Sequence, residues 1–141
     1  MKKILGVLCI SALAFTSCKK DSDDNSTTTA NVSSTVTSGT WRITLFSNAG
    51  TDKTSTFSGY NLTYASSGNL AAANSLLSVN GTWSTGTDDS KVKLVMNFPS
   101  PSIPDFVMLN EDWQVTGRTD TKVTMQHISG GSTDYLTIEK N

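Results

Sequence analysis

From Ser38 onward the chain alternates apolar and polar positions in short runs, and no 3.6-residue apolar period persists over several turns. A period of two sends every second side chain to the same face, so each run predicts a β-strand with one inward side. Thr40 to Phe46 puts Trp41, Ile43 and Leu45 on that side and Phe46 on the other. Thr56 to Tyr64 sets Tyr60, Leu62 and Tyr64 against Asn61 and Thr63, and Leu70 to Ala73 is a weaker run. Ser78 to Ser84 groups Val79, Gly81 and Trp83, and Lys91 to Phe98 groups Val92, Leu94, Met96 and Phe98. Asp112 to Arg118 carries Trp113 and Val115, and Lys122 to Ile128 carries Val123, Met125 and His127. Tyr135 to Lys140 alternates Leu136 and Ile138 with Thr137 and Glu139. Clusters of Gly, Asn, Asp, Ser and Thr between the runs mark turns, with 86–90 as a polar hairpin loop.

Eight strands joined mostly by short loops make sequential neighbours antiparallel. Up-and-down order favours an all-β barrel, because closure removes exposed strand edges; on that reading Ile43 of the first strand lies beside Ile138 of the last. A two-sheet sandwich is the alternative. The longest connection holds all three prolines, Pro99, Pro101 and Pro104, and then Asp105-Phe106-Val107-Met108-Leu109. Asp105 is placed to cap a single helical turn with Phe106 and Leu109 on its inner side. Phe106 and Leu109 then serve either as a lid over the barrel mouth or as a plug completing the core, and the plug is favoured.

The N-terminal pattern is different. Lys2 and Lys3 precede an almost uncharged apolar run from Ile4 to Phe15, too short for the roughly 20 residues that span a bilayer. A basic start, a short apolar core and small residues at the end predict a secretory signal peptide over 1–17. Phe15-Thr16-Ser17-Cys18 resembles the lipobox of bacterial lipoproteins, with Phe15 where the stricter pattern has Leu, Val or Ile. The resemblance implies that Cys18 is alkylated by diacylglycerol and becomes the mature N-terminus, a lipid anchor in the outer membrane facing the periplasm or the cell surface. Residues 18–37 then read as the lipidated Cys and a disordered tether, too poor in large apolar side chains to offset the entropy of ordering. Asp21, Asp23 and Asp24 look like either a surface-export signal or a solvated spacer. Residues 38–141 form the single barrel domain.

With Cys9 in the signal and Cys18 acylated, the domain has no thiol for disulfides or metal binding. Lys2 and Lys3 leave with the signal, so nine basic side chains face 12 acidic ones, a net charge of −3. That balance argues against nucleic acid as a partner.

Gly39-Thr40-Trp41 at the start of the first strand looks like the Gly-x-Trp signature of lipocalins. Gly81-Thr82-Trp83, Asn110-Glu111-Asp112-Trp113 and the run 130–137 add to a resemblance, over 38–141, to the lipocalin-like domain of small bacterial lipoproteins. The resemblance implies an eight-stranded barrel with Trp41 as the plug of one end, stacked by a late cation such as Lys140 or Arg118.

No set of residues adds up to a catalytic site. One His would have to serve any Ser-His-acid triad, and no Gly-x-Ser-x-Gly elbow occurs. The expectation is therefore a protein that is not an enzyme and has no cofactor and no metal. His127, alternating with Val123 and Met125, reads as a packed or rim histidine, and Glu111-Asp112 as a solvated turn. Two binding roles stay open. A hollow barrel would hold a small apolar ligand against Tyr60, Tyr64, Trp83, Met96, Met125 and His127. A solid one would work as a surface-displayed module for a protein or glycan, with Phe46 as its hint of an exposed aromatic.

Overall fold

The computed structural model describes residues 26–101 and 104–141. The signal run, Cys18 and the acidic triplet lie outside the described residues. Eight antiparallel strands close a barrel: β1 (Thr40–Asn48), β3 (Asn61–Tyr64), β4 (Asn69–Ala73), β5 (Ser78–Asp88), β6 (Lys91–Asn97), β7 (Asp112–Arg118), β8 (Lys122–Ser129) and β9 (Ser132–Lys140). Each pairs with the next in chain order, and β9 returns to β1 with Ile43 opposite Ile138. The short β2 (Thr51–Asp52) folds back on β1 alone. The sandwich is thereby excluded. Closure gives the barrel a helix end, where β1 starts and β9 finishes, and a loop end at the other mouth.

Two bulges change which side chains face inward. In β1 the register moves from Ile43 opposite Ile138 to Leu45 opposite Thr137, so Thr44 is an extra residue. An extra residue reverses the alternation beyond it. Phe46 is consequently fully buried and Leu45 is 39% exposed, the opposite of the sequence expectation, and Phe46 offers no surface aromatic. The exchange puts the larger apolar side chain inside, edge-on to Phe57 and Trp113 at ring-centroid distances of 5.4 and 6.2 Å. The β7 bulge, between Val115 opposite Met125 and Gly117 opposite Thr124, turns Arg118 inward at the helix end.

Two expected boundaries also move. The run predicted from Thr56 is a strand only over Asn61–Tyr64, because Thr54–Phe57 forms a 3-10 turn and Gly59 takes φ +81°. Asp52 braces the start of that turn, its carboxyl accepting from Thr54 Oγ1 at 2.6 Å and Thr54 N at 2.8 Å. These bonds, the hydroxyl's foremost, hold the Asp52 carboxyl below its ordinary pKa. The loop expected at 86–90 shrinks to a tight turn with Asp89 and Ser90 at positive φ, and β5 runs on to Asp88.

The folded part begins before residue 38. Thr29–Val36 is a helix, α1, capped by Thr28 Oγ1, which accepts from Asn31 N at 3.2 Å. Val32 and Val36, one turn apart, are fully buried, and α1 packs against β5 and β6 at the helix end. The tether expected to reach residue 37 therefore stops short of Thr29. Eight residues with two valines do not hold a helix in water, so docking on the barrel stabilises it.

Candidate functional site

The interior was the first candidate, and its chemistry is that of a core. At the loop end the 3-10 turn Phe106–Leu109 drops its first and last side chains into the mouth. Asp105 caps this turn as expected, its side chain accepting from Val107 N at 3.2 Å. Phe106 is fully buried, its ring centroid 5.2 Å from Phe57, 5.2 Å from Tyr60 and 4.9 Å from Phe98. Asn110 fastens the base of the loop: its side-chain oxygen accepts from Phe98 N at 2.6 Å, and its amide donates to Phe98 O at 2.8 Å. Asn110 entered the sequence reading only as the first residue of Asn110-Glu111-Asp112-Trp113, and its clamp exists only once β6 and β7 are paired.

Each of the three indoles donates to a backbone carbonyl. Trp41 Nε1 reaches Val36 O at the end of α1, at 2.8 Å. Trp83 Nε1 reaches Ala65 O at 2.8 Å, and Trp113 Nε1 reaches Leu109 O at 3.0 Å. A buried Trp offers a large apolar body and one donor that needs a partner. Trp41 thus closes the helix end, and Trp113 holds the Phe106–Leu109 turn to the loop end. The two cations expected near Trp41 are both at its end. Lys140 is its register partner and donates from Nζ to Ser38 Oγ at 3.1 Å. Arg118 is buried there and donates to Thr35 Oγ1 at 2.7 Å.

Of the six residues expected to line a pocket, Tyr64, Trp83 and Met96 come together. Tyr64 lies edge-on to Trp83 with centroids 5.6 Å apart, and its hydroxyl donates to Met96 Sδ at 3.3 Å. Tyr60 joins the Phe106 cluster, Met125 sits in the core, and His127 stands at the loop-end rim. Gly81 leaves no space here, because an added Cβ would collide with the Asn97 carbonyl oxygen and lie 2.9 Å from the Phe98 ring. Among the described residues, surface clefts lie beside α1, outside β3 to β5, beside the Thr54–Phe57 turn, and outside β6 to β8. Tyr60, Tyr64, Trp83, Met96 and Met125 line none of these clefts.

Burial pushes the Tyr64 phenol well above its ordinary value of 10.0. The unfolded chain then loses this proton above pH 10 while the folded chain keeps it, so stability from this group is complete below pH 10 and falls as pH rises. Wild type is expected to lose about 1.4 kcal/mol more per pH unit above pH 10 than Tyr64→Phe. Urea midpoints of both proteins between pH 9 and 11.5 check this, and parallel slopes would refute it.

The loop-end rim carries polar chemistry that the sequence did not bring together. His127 Nδ1 lies 3.0 Å from Asp112 Oδ1, and Nε2 lies 3.3 Å from Glu111 Oε2. Lys93 Nζ is 3.4 Å from Asp112 Oδ2. The imidazole is edge-on to Trp113 at 6.1 Å. Nearby, buried Asp134 accepts from Ala49 N at 2.7 Å and Asn48 Nδ2 at 3.2 Å, tying β9 to the bend after β1. That role is structural.

No protein-family model matches the sequence, and no curated protein matches it. Among solved structures, the chain is similar to a DUF4847 family protein from Bacteroides vulgatus ATCC 8482, whose crystal structure was determined at 1.00 Å. The two share 19% identity and a TM-score of 0.53, over 78% of this chain and 97% of the other. At that identity the likeness speaks for the barrel fold alone.

Proposed function

We propose that this chain is an envelope lipoprotein, held to the outer membrane by acylated Cys18, whose solid barrel binds a protein or glycan through its outer surface. The role is binding, not catalysis. The observation that carries the reading is that both mouths are filled: Val32 and Val36 over Trp41 at one end, Phe106 and Leu109 at the other, all fully buried. Within the lipocalin-like resemblance of Gly39-Thr40-Trp41, this is a barrel that keeps the plugged end and fills the space where a small apolar ligand would lie.

Orientation supports the same reading. A tether from Cys18 joins the barrel through α1, so the loop end points away from the membrane. Leu76 is 87% exposed and Ile128 62% exposed, and both stand at that end on opposite sides of the barrel. Cys18→Ala is expected to move the protein from the membrane pellet to the soluble envelope fraction, because two or three acyl chains supply the anchoring energy. Retention in the pellet contradicts the anchor. Full-length protein isolated from envelopes is expected to show only its own acylated mass in native mass spectrometry. A stoichiometric small apolar molecule bound to it would restore the hollow-barrel reading. A photoreactive group at Leu76 is expected to give discrete adducts in cells, and one at Asp120 of the helix end none. Equal labelling from both ends would contradict display from the loop end.

A further inference from the structure

We infer that Glu111, Asp112 and His127 form a binding site for a divalent transition-metal ion of the zinc type at the loop-end rim. One ligand atom from each of the three lies within 4.8 Å of the others. Ligands held at about 2.0–2.2 Å around one tetrahedral ion stand about 3.4 Å apart. Nε2 lies 3.3 Å from Glu111 Oε2 and Nδ1 3.0 Å from Asp112 Oδ1, so on whichever nitrogen takes the ion one carboxylate already stands at that spacing and the other closes from within 4.8 Å. The remaining contraction falls to the carboxylate side chains, which are 42% and 47% exposed and free to adjust.

The imidazole is the better-ordered partner. It is 15% exposed and braced by Trp113. Each ring nitrogen faces a different carboxylate, so binding draws the farther carboxylate toward the nitrogen that takes the ion. One imidazole with two carboxylates suits Zn²⁺, Cu²⁺ or Ni²⁺ better than Ca²⁺ or Mg²⁺, which prefer all-oxygen shells. The rim leaves a fourth position open to water or to a group on a bound partner. Lys93 is the competitor, because its ammonium occupies the other oxygen of Asp112.

That competition gives the site a signature that a plain ion pair lacks. With the full-length protein and ZnCl₂ at neutral pH, titration calorimetry is expected to show one saturable site. His127→Gln is expected to weaken it about tenfold or more, with Glu111→Gln and Asp112→Asn weakening it severalfold. Lys93→Met is expected to tighten it severalfold by freeing Asp112. CuCl₂ is expected to quench the Trp113 emission, and Trp113→Phe to remove that quenching while Zn²⁺ binding persists. Absence of a saturable site in wild type, or affinity unchanged by His127→Gln, overturns the inference. If His127→Gln fails to fold, Lys93→Met decides: unchanged or weaker Zn²⁺ binding overturns it.

Discussion

Trp41→Ala is expected to remove a large part of the barrel's stability. The side chain is fully buried, and truncating a buried Trp costs about 3–5 kcal/mol in lost transfer energy and cavity. A domain of this size has about 5–15 kcal/mol in total. The change also deletes the donor to Val36 O and opens a gap in the core that holds Val32 and Val36. Because α1 has no stability of its own, its release is expected to follow. Trp41→Phe keeps an aromatic ring and loses the N–H bond, with an expected cost of about 1–2 kcal/mol. Urea midpoints give the energies. Hydrogen exchange at the Val32 and Thr37 amides, bonded to Thr28 O and Ser33 O, reports the helix. A Trp41→Ala protein with those amides still protected and a loss under about 1 kcal/mol would show that neither helix nor barrel depends on the indole.

Much of the barrel was legible because two-residue alternation is a local signal. Trp41, Ile43, Leu62, Tyr64, Leu94, Met96, Val123, Met125, Leu136 and Ile138 are inward as the pattern predicts. Closure was legible too, through short turns such as Gly130-Gly131, where both residues take positive φ and join β8 to β9 tightly. The bulges were not. Each extra residue, Thr44 and Thr116, is an ordinary strand former, and only the partner strand reveals that two residues oppose one. Their consequences are large for function, since one conceals Phe46 and the other buries Arg118 beneath α1.

The candidate site was legible in pieces. His127 at a rim follows from its place after Val123 and Met125. Glu111-Asp112 read as a solvated turn because its partner lies 15 or 16 positions away in sequence, on β8. Antiparallel pairing of β7 and β8, with Gln114 opposite Gln126, brings the two ends of those strands to one rim. Helix α1 was illegible for a different reason. Its two valines make too small an apolar face to declare a helix, and its stability comes from Trp41 and the barrel end, which are distant in the chain.

Phe106→Ala separates a plug from a lid. A plug is part of the core, so truncation is expected to cost about 3–5 kcal/mol and to leave a cavity among Phe57, Tyr60 and Phe98. An apolar cavity of that kind stays dry and accepts benzene. The variant is therefore expected to bind benzene saturably, with benzene at 100 times its Kd raising the stability by about 2.7 kcal/mol. Wild type is expected to show no such stabilisation, since the Phe106 ring fills the space. A lid behaves in the opposite way, because its closed state excludes solvent without being needed for the fold. In that case Phe106→Ala would cost under about 1 kcal/mol, and wild type would already bind the probe as the lid opens. That pair of results would sink the solid barrel and turn the aromatic cluster at the loop end into the wall of a ligand site. The Asn110 clamp on Phe98 argues for the plug, since two hydrogen bonds fasten the base of the loop that carries Phe106.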